Sequence, residues 1–212
     1  MVIEVIPPGG TVDGKDRNYF IKKYWQALCP VPRSTNPAWE NTGAKDGPFN
    51  ANVGEYLYML SFSRKPQAPV TRNIQIPTNN KGLFIPIMSV VVSACETDDP
   101  LQAVANKDQS SIFPPSLSLE LDGDPLGTLE TYKSNPAAIG TFSVEFPPPG
   151  QAIFDIKDQG PCDAVAGGRY VWTKALSPGE HTVYFKGKLH CTPPNCIDEE
   201  YMEDITYKIN VQ

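Results

Sequence analysis

Ile205-Thr-Tyr-Lys-Ile-Asn-Val211 alternates apolar and polar residues along its whole length. A helix would divide Ile205, Tyr207, Ile209 and Val211 between opposite sides, whereas a strand gathers them on one buried face. The same period of two recurs upstream, in Leu117, Leu119 and Leu121 and in Phe142, Val144 and Phe146. Working outward, strands are expected over residues 56–62, 74–76, 83–92, 116–121, 141–146, 152–156, 170–173, 181–185 and 205–211. Turn chemistry separates them at Asp122-Gly123, Pro147 to Gly150, Gly167-Gly168 and Ser177-Pro-Gly179. Half-buried strands in this number close their faces as two packed sheets, so the expected class is all-β, an antiparallel, jelly-roll-like β-sandwich.

Two segments break the pattern with a helical period. Ile21, Tyr24, Trp25 and Leu28 form one apolar stripe over residues 16–29, with Asp13 or Asp16 as N-cap and Cys29-Pro30 as the stop. A second, shorter helix is expected from Pro100 through Lys107, capped by Asp98 or Asp99. The 22 prolines in 212 residues, about twice the usual share, fall mostly at the edges of these elements and rule out long helices elsewhere. The whole of 1–212 is read as one β-sandwich domain, with residues 1–15 an N-terminal strand or arm and residues 188–204 a loop carrying cysteines and acids.

Charge and hydropathy exclude several partners. The formal net charge is -6 and the basic residues are scattered, which argues against the phosphate-tracking face of a nucleic-acid-binding protein. No apolar run reaches the ~18 residues of a membrane span, and no export signal is read in the chain as given. Of five cysteines, Cys191 and Cys196 flank a Pro-Pro turn and form the disulfide candidate, with free thiols as the other reading.

Several segments, in order, resemble a family. They are Lys23-Tyr-Trp-Gln-Ala-Leu28, Asn36-Pro37, Thr42-Gly43, Ile76-Pro77 and Lys81-Gly-Leu-Phe-Ile-Pro86, then Leu121-Asp-Gly123, Gly168-Arg-Tyr-Val-Trp172, Leu176 to Thr182 and Asp204-Ile-Thr-Tyr207. Together they resemble an uncharacterised family of mostly exported bacterial and archaeal proteins that look like β-sandwiches. Tyr58 to Phe62 and Ile74 depart from that pattern, where the family has a glycine-rich turn and a cysteine. The resemblance implies a sandwich fold and an exported or surface habit; it carries over no catalytic residue.

Candidate chemistry is sparse. Asp98, Asp99, Asp122 and Asp124 are weak calcium candidates, since calcium favours oxygen donors from loops, but each also suits a cap or turn. Paired carboxylates could serve glycoside hydrolysis, yet nothing singles out a pair. His181 and His190 are the only histidines; His181, at a strand start after Ser177-Pro-Gly179, is expected to bridge backbone or a carboxylate rather than act as a base. Trp25 and Trp172 are expected in the core, and Trp39, in a loop, is the candidate ligand or partner anchor. No cofactor motif is read.

These features describe a non-enzymatic structural or binding protein, docked against other protein subunits of a surface assembly such as a viral capsid (as a minor capsid protein) or a cell-surface layer. The location expected is a virion, a cell surface or the extracellular space. The alternative is an exported carbohydrate-binding or carbohydrate-active domain with glycans as partners.

Overall fold

The computed structural model describes residues 3–53, 57–62, 69–190 and 200–212. The chain enters as an arm rather than a strand: Val5 bridges Thr173, and the Ile6 N–H donates to the Trp172 carbonyl at 2.9 Å. Helix α1 (Arg17–Leu28) follows, its first turn capped by Asp16, which accepts from the Tyr19 N–H, while Asp13 pairs instead with Lys81. Its stripe of Phe20, Ile21, Tyr24, Trp25 and Leu28 is buried. Each such side chain taken from water stabilises the fold by about 1.5–3 kcal/mol, far more than helix propensity supplies.

Next come α2 (Asp46–Val53), β1 (Tyr58–Met59), β2 (Val70–Ile76), β3 (Leu83–Ser93), α3 (Leu101–Ser110), β4 (Ser118–Leu121) and β5 (Asp124–Pro125). The chain closes with α4 (Pro136–Ile139), β6 (Phe142–Phe146), β7 (Gly160–Trp172), β8 (Gly179–His190) and β9 (Glu200–Val211). One sheet has the order β1-β3-β7-β6, the other β2-β9-β8-β4-β5. Antiparallel pairing prevails, with one parallel pair at an edge of each sheet, β1 on β3 and β2 on β9. This is a β-sandwich, and α1 packs outside the first sheet as a third layer.

That layering explains why β3 reads as one apolar run while β9 alternates. Leu83, Ile85 and Ile87 face the second sheet, meeting Val183, Phe185, Ile205, Tyr207 and Ile209. Phe84 points the other way, stacking on Tyr170 at 5.5 Å and lying under Phe20 and Tyr24 of α1. A strand covered on both faces has no solvent side to mark with polar residues. The β3 to β7 register shifts between Pro86 and Met88, and Gly168 lies just beyond, opposite Ser89. With φ +142 there, a Cβ would stand 2.5 Å from the Met88 carbonyl oxygen, so only glycine fits.

Several expected elements differ. Residues 152–156 form no strand; Ala152, Ile153 and Ile156 are buried in the core against α1, and the Arg33 N–H donates to the Gln151 carbonyl, so the run is an apolar loop without a ladder partner. β2 begins four residues before the expected 74–76, and β7 and β8 run well beyond the short strands expected. Residues 188–190 and 200–204 are not loop: His190 pairs with Glu200 and Lys186 with Asp204 as β8 and β9 continue. Neither Asp98 nor Asp99 caps α3, whose N-cap is Pro100; Asp98 pairs with Lys157.

Candidate functional site

Pairing of β4 with β8 sets Leu121 beside Val183, and so places the turn after β4 against the start of β8. Asp122 and Gly123 turn the chain with φ +53 and +85, the sign pair of a tight two-residue hairpin. Asp122 then locks onto β8: its N–H donates to the Thr182 carbonyl and its Oδ1 accepts from the Thr182 N–H, each at 2.8 Å. Its other oxygen lies 2.8 Å from His181 Nδ1. On the far side of the imidazole, Nε2 lies 2.9 Å from the Ser177 carbonyl oxygen and 3.3 Å from Ser177 Oγ. Serine, histidine and aspartate therefore stand in the order of a nucleophilic triad, beside an open depression of about 610 Å³ lined in part by Gly123, Pro178, Gly179 and Glu180.

The chemistry of the acceptors decides what this set does. Both ring nitrogens face acceptors, Nδ1 the Asp122 carboxylate and Nε2 the Ser177 carbonyl, and the carbonyl lies nearer Nε2, at 2.9 Å, than the hydroxyl at 3.3 Å. General-base catalysis needs the opposite, a lone pair on Nε2 aimed at the serine hydroxyl. The Ser177 carbonyl holds the near position at Nε2, which leaves the hydroxyl as the more distant neighbour. The side chain of His181 is 5% exposed and that of Asp122 19%, so the three residues form a closed clasp tying the β4–β5 turn to the Ser177 turn. The expected bridging of backbone and carboxylate by His181 is what the geometry gives. The Ser177 contact is local, four residues before His181, whereas the Asp122 partnership was invisible in sequence, being made through strand register.

A second polar cluster lies deep between the layers. Arg72 occupies a core-facing position of β2, where Val70, Ile74 and Ile76 share its side of the strand. Its Nη1 donates to the Ser61 carbonyl and to Tyr207 Oη, and its Nη2 to the carbonyls of Pro37, Glu40 and Phe62. Asp46, at the start of α2, lies 3.7 Å from Nη1, both side chains being 0% exposed. The Tyr207 hydroxyl lies 3.0 Å from Asp46 Oδ1, and burial keeps that phenol protonated by pushing it well above its ordinary value. Burial also raises the Asp46 carboxyl to about 6, outweighing the attraction of Arg72. Four other stretches of chain, at residues 37–40, 46, 61–62 and 207, meet on this one guanidinium.

The remaining candidates are dispersed. Trp39 ends a single turn of 3₁₀-helix at Pro37–Trp39, half-buried, with the Arg33 guanidinium 4.7 Å over its ring. Asp98 and Asp99 are exposed on the loop before α3, far from the Asp122 turn in the chain, and Asp124 is exposed in β5. Asp122 spends its carboxylate on His181 and Thr182. Among the described residues no three His, Cys, Asp or Glu side chains gather as a metal site. The Cys191 to Cys196 pairing lies outside the described residues. A disulfide joins Cys95, just past β3, to Cys162 in β7, with Cα atoms 5.9 Å apart, and Cys29 is a buried free thiol. Closing that loop of 67 residues stabilises the fold by about 4 kcal/mol. Sequence spacing favoured the near pair; β3–β7 pairing makes the distant one adjacent.

No protein-family model, curated protein or solved structure matches this chain.

Proposed function

We propose that this chain is a non-enzymatic structural or binding protein of an extracellular or virion surface, docking through its loops against other protein subunits, as a minor capsid protein or a component of a cell-surface layer. The observation that carries the reading is the clasp: the Ser177, His181 and Asp122 set spends its donors and acceptors on holding two turns. The Cys95–Cys162 disulfide suits an oxidising compartment, and the motif order resembling an exported β-sandwich family supports the same habit. Strand edges are also covered or short. Gln26 donates to the Ser143 carbonyl on β6, the Asn73 N–H of β2 donates to Thr42, and β5 has two residues. Blunted edges favour docking by side chains and loops over open-ended strand addition.

The test is the state of the native protein. Sedimentation and intact mass of the non-reduced material from its source are expected to show it within a multi-subunit particle or layer. A lone monomer at every concentration, with no particle-associated pool, would contradict the proposal.

A further inference from the structure

The dipeptide Asp-Gly occurs three times, as Asp13-Gly14, Asp46-Gly47 and Asp122-Gly123. Glycine has no Cβ to shield its nitrogen, so an aspartyl side chain placed before it is open to attack by that nitrogen. Two of the three pairs sit in the same kind of turn. Asp13 and Gly14 have φ +49 and +72, Asp122 and Gly123 have φ +53 and +85, and each pair forms the tip of a two-residue hairpin. Around the first, the Val12 N–H donates to the Lys15 carbonyl at 3.0 Å and the Lys15 N–H to the Val12 carbonyl at 2.9 Å. The backbones match and the side chains do not. Asp122 is held at Oδ1 by the Thr182 N–H and at Oδ2 by His181, each at 2.8 Å. The Asp13 carboxylate meets only Lys81 among the described residues, in an ion pair whose side chains are 45% and 47% exposed. A pair so open to water restrains little. Asp46 is fully buried between Tyr207 and Arg72, and Gly47 is fixed within α2.

From this contrast we infer that Asp13-Gly14 is a site of spontaneous isoaspartate formation, a modification that the clasp denies to Asp122 and the core to Asp46. The Gly14 nitrogen attacks the side-chain carboxyl carbon of Asp13. A C–N bond forms, a carboxyl C–O bond breaks, and the hydroxyl of the neutral carboxyl leaves as water with the amide proton, closing a five-membered succinimide. A second water opens the ring. Where it cleaves the bond from the nitrogen to the former backbone carbonyl carbon, the chain is left running through the side chain of Asp13. The water lost and the water regained balance, and the step uses no oxidant or reductant. The product keeps the original mass but carries one extra methylene in the backbone of the turn. That added length disrupts the Val12 to Lys15 pairing and moves the carboxylate away from Lys81, where the N-terminal arm meets α1. The modification is independent of subunit docking.

The experiment incubates the full, folded, non-reduced chain in warm neutral buffer for weeks and measures isoaspartate in each Asp-Gly peptide, by isoaspartyl methyltransferase labelling and fragmentation mass spectrometry. A synthetic peptide of residues 9–17 sets the incubation time, which runs until that peptide is well converted. Isoaspartate is expected at Asp13, with the intact mass unchanged. At Asp122 it should form at least about tenfold more slowly, because the side chain must first give up hydrogen bonds of a charged group. Asp46 should stay unconverted. Asp13→Glu, which would need a larger ring, should lose the first signal. His181→Ala should raise conversion at Asp122 severalfold and leave Asp13 as it was; His181→Phe, which fills the space of the ring, carries the same test should the alanine unfold the chain. No isoaspartate at Asp13, equal conversion at Asp13 and Asp122, or conversion at Asp46 ahead of Asp13 would overturn the proposal.

Discussion

The Arg72 cluster and the His181 clasp are built from the same kinds of group, a cationic or imidazole side chain, a carboxylate, a hydroxyl and backbone carbonyls, yet one lies in the core and the other at the rim. Arg72 and Asp46 are fully buried, so every unmet hydrogen bond or unpaired charge there faces a medium without water. The Asp122 carboxylate is partly exposed, and water can replace what the clasp loses. The difference teaches that polar chemistry in this protein is organised for holding chain segments together, with energetic stakes that fall from the interior outward.

The largest expected effect therefore comes from the core. Arg72→Ala leaves Asp46 with the Tyr207 hydroxyl as its remaining partner and takes one donor each from the carbonyls of Pro37, Glu40, Ser61 and Phe62, so urea unfolding should show a loss of about 3–5 kcal/mol. A loss below about 1 kcal/mol would erase the contrast with the rim.

A pH series sharpens the same side of the comparison. Burial raises Asp46 from an ordinary 3.8 to about 6 in the folded protein, so the native state holds its proton more tightly than the unfolded chain does. Such a group contributes stability that is complete below about 4 and is lost as pH rises through about 6. The full difference corresponds to about 3 kcal/mol. Glu40 works in the opposite sense: burial would raise it, but hydrogen bonds from Thr42 and Gly43 hold it below its ordinary 4.5, so its contribution disappears only at more acid pH. Between pH 7 and pH 5 the urea midpoint is accordingly expected to rise, and Asp46→Asn should flatten that rise. A midpoint that falls steadily over this range in the native sequence would show that the carboxyl is not raised.

At the rim the effects should be smaller. His181→Ala removes the bridge between Asp122 and the Ser177 carbonyl and should cost about 1–2 kcal/mol. Ser177→Ala, which keeps the carbonyl, should change stability by less than about 0.5 kcal/mol. Equal losses from the two substitutions would mean that the hydroxyl, not the carbonyl, is the partner that matters.

How much of this could be read in advance follows the same division between covered and exposed surfaces. β9 was legible because one side of it meets solvent and the other the core, leaving Ile205, Tyr207, Ile209 and Val211 as a clean series. β2 was legible only from Ile74 onward, since Arg72 puts a charge at a core position and breaks the alternation. α1 and its cap at Asp16 were legible from spacing and local chemistry. α2 was hidden because Asp46-Gly47-Pro48 reads as a turn, although proline is tolerated in the first turn of a helix. The disulfide and the Asp122 half of the clasp depend on residues brought together by sheet register across 67 and 59 positions, a relation that local pattern does not encode.

The central claim is that Ser177 is not a nucleophile because its carbonyl, rather than its hydroxyl, holds the near position at His181 Nε2. The direct test is labelling of the folded, non-reduced protein with a fluorophosphonate probe, followed by peptide mass analysis. No adduct at Ser177, and no difference in ester hydrolysis between the native sequence and Ser177→Ala, is the expected result; stoichiometric labelling of Ser177 that disappears in His181→Ala would contradict it.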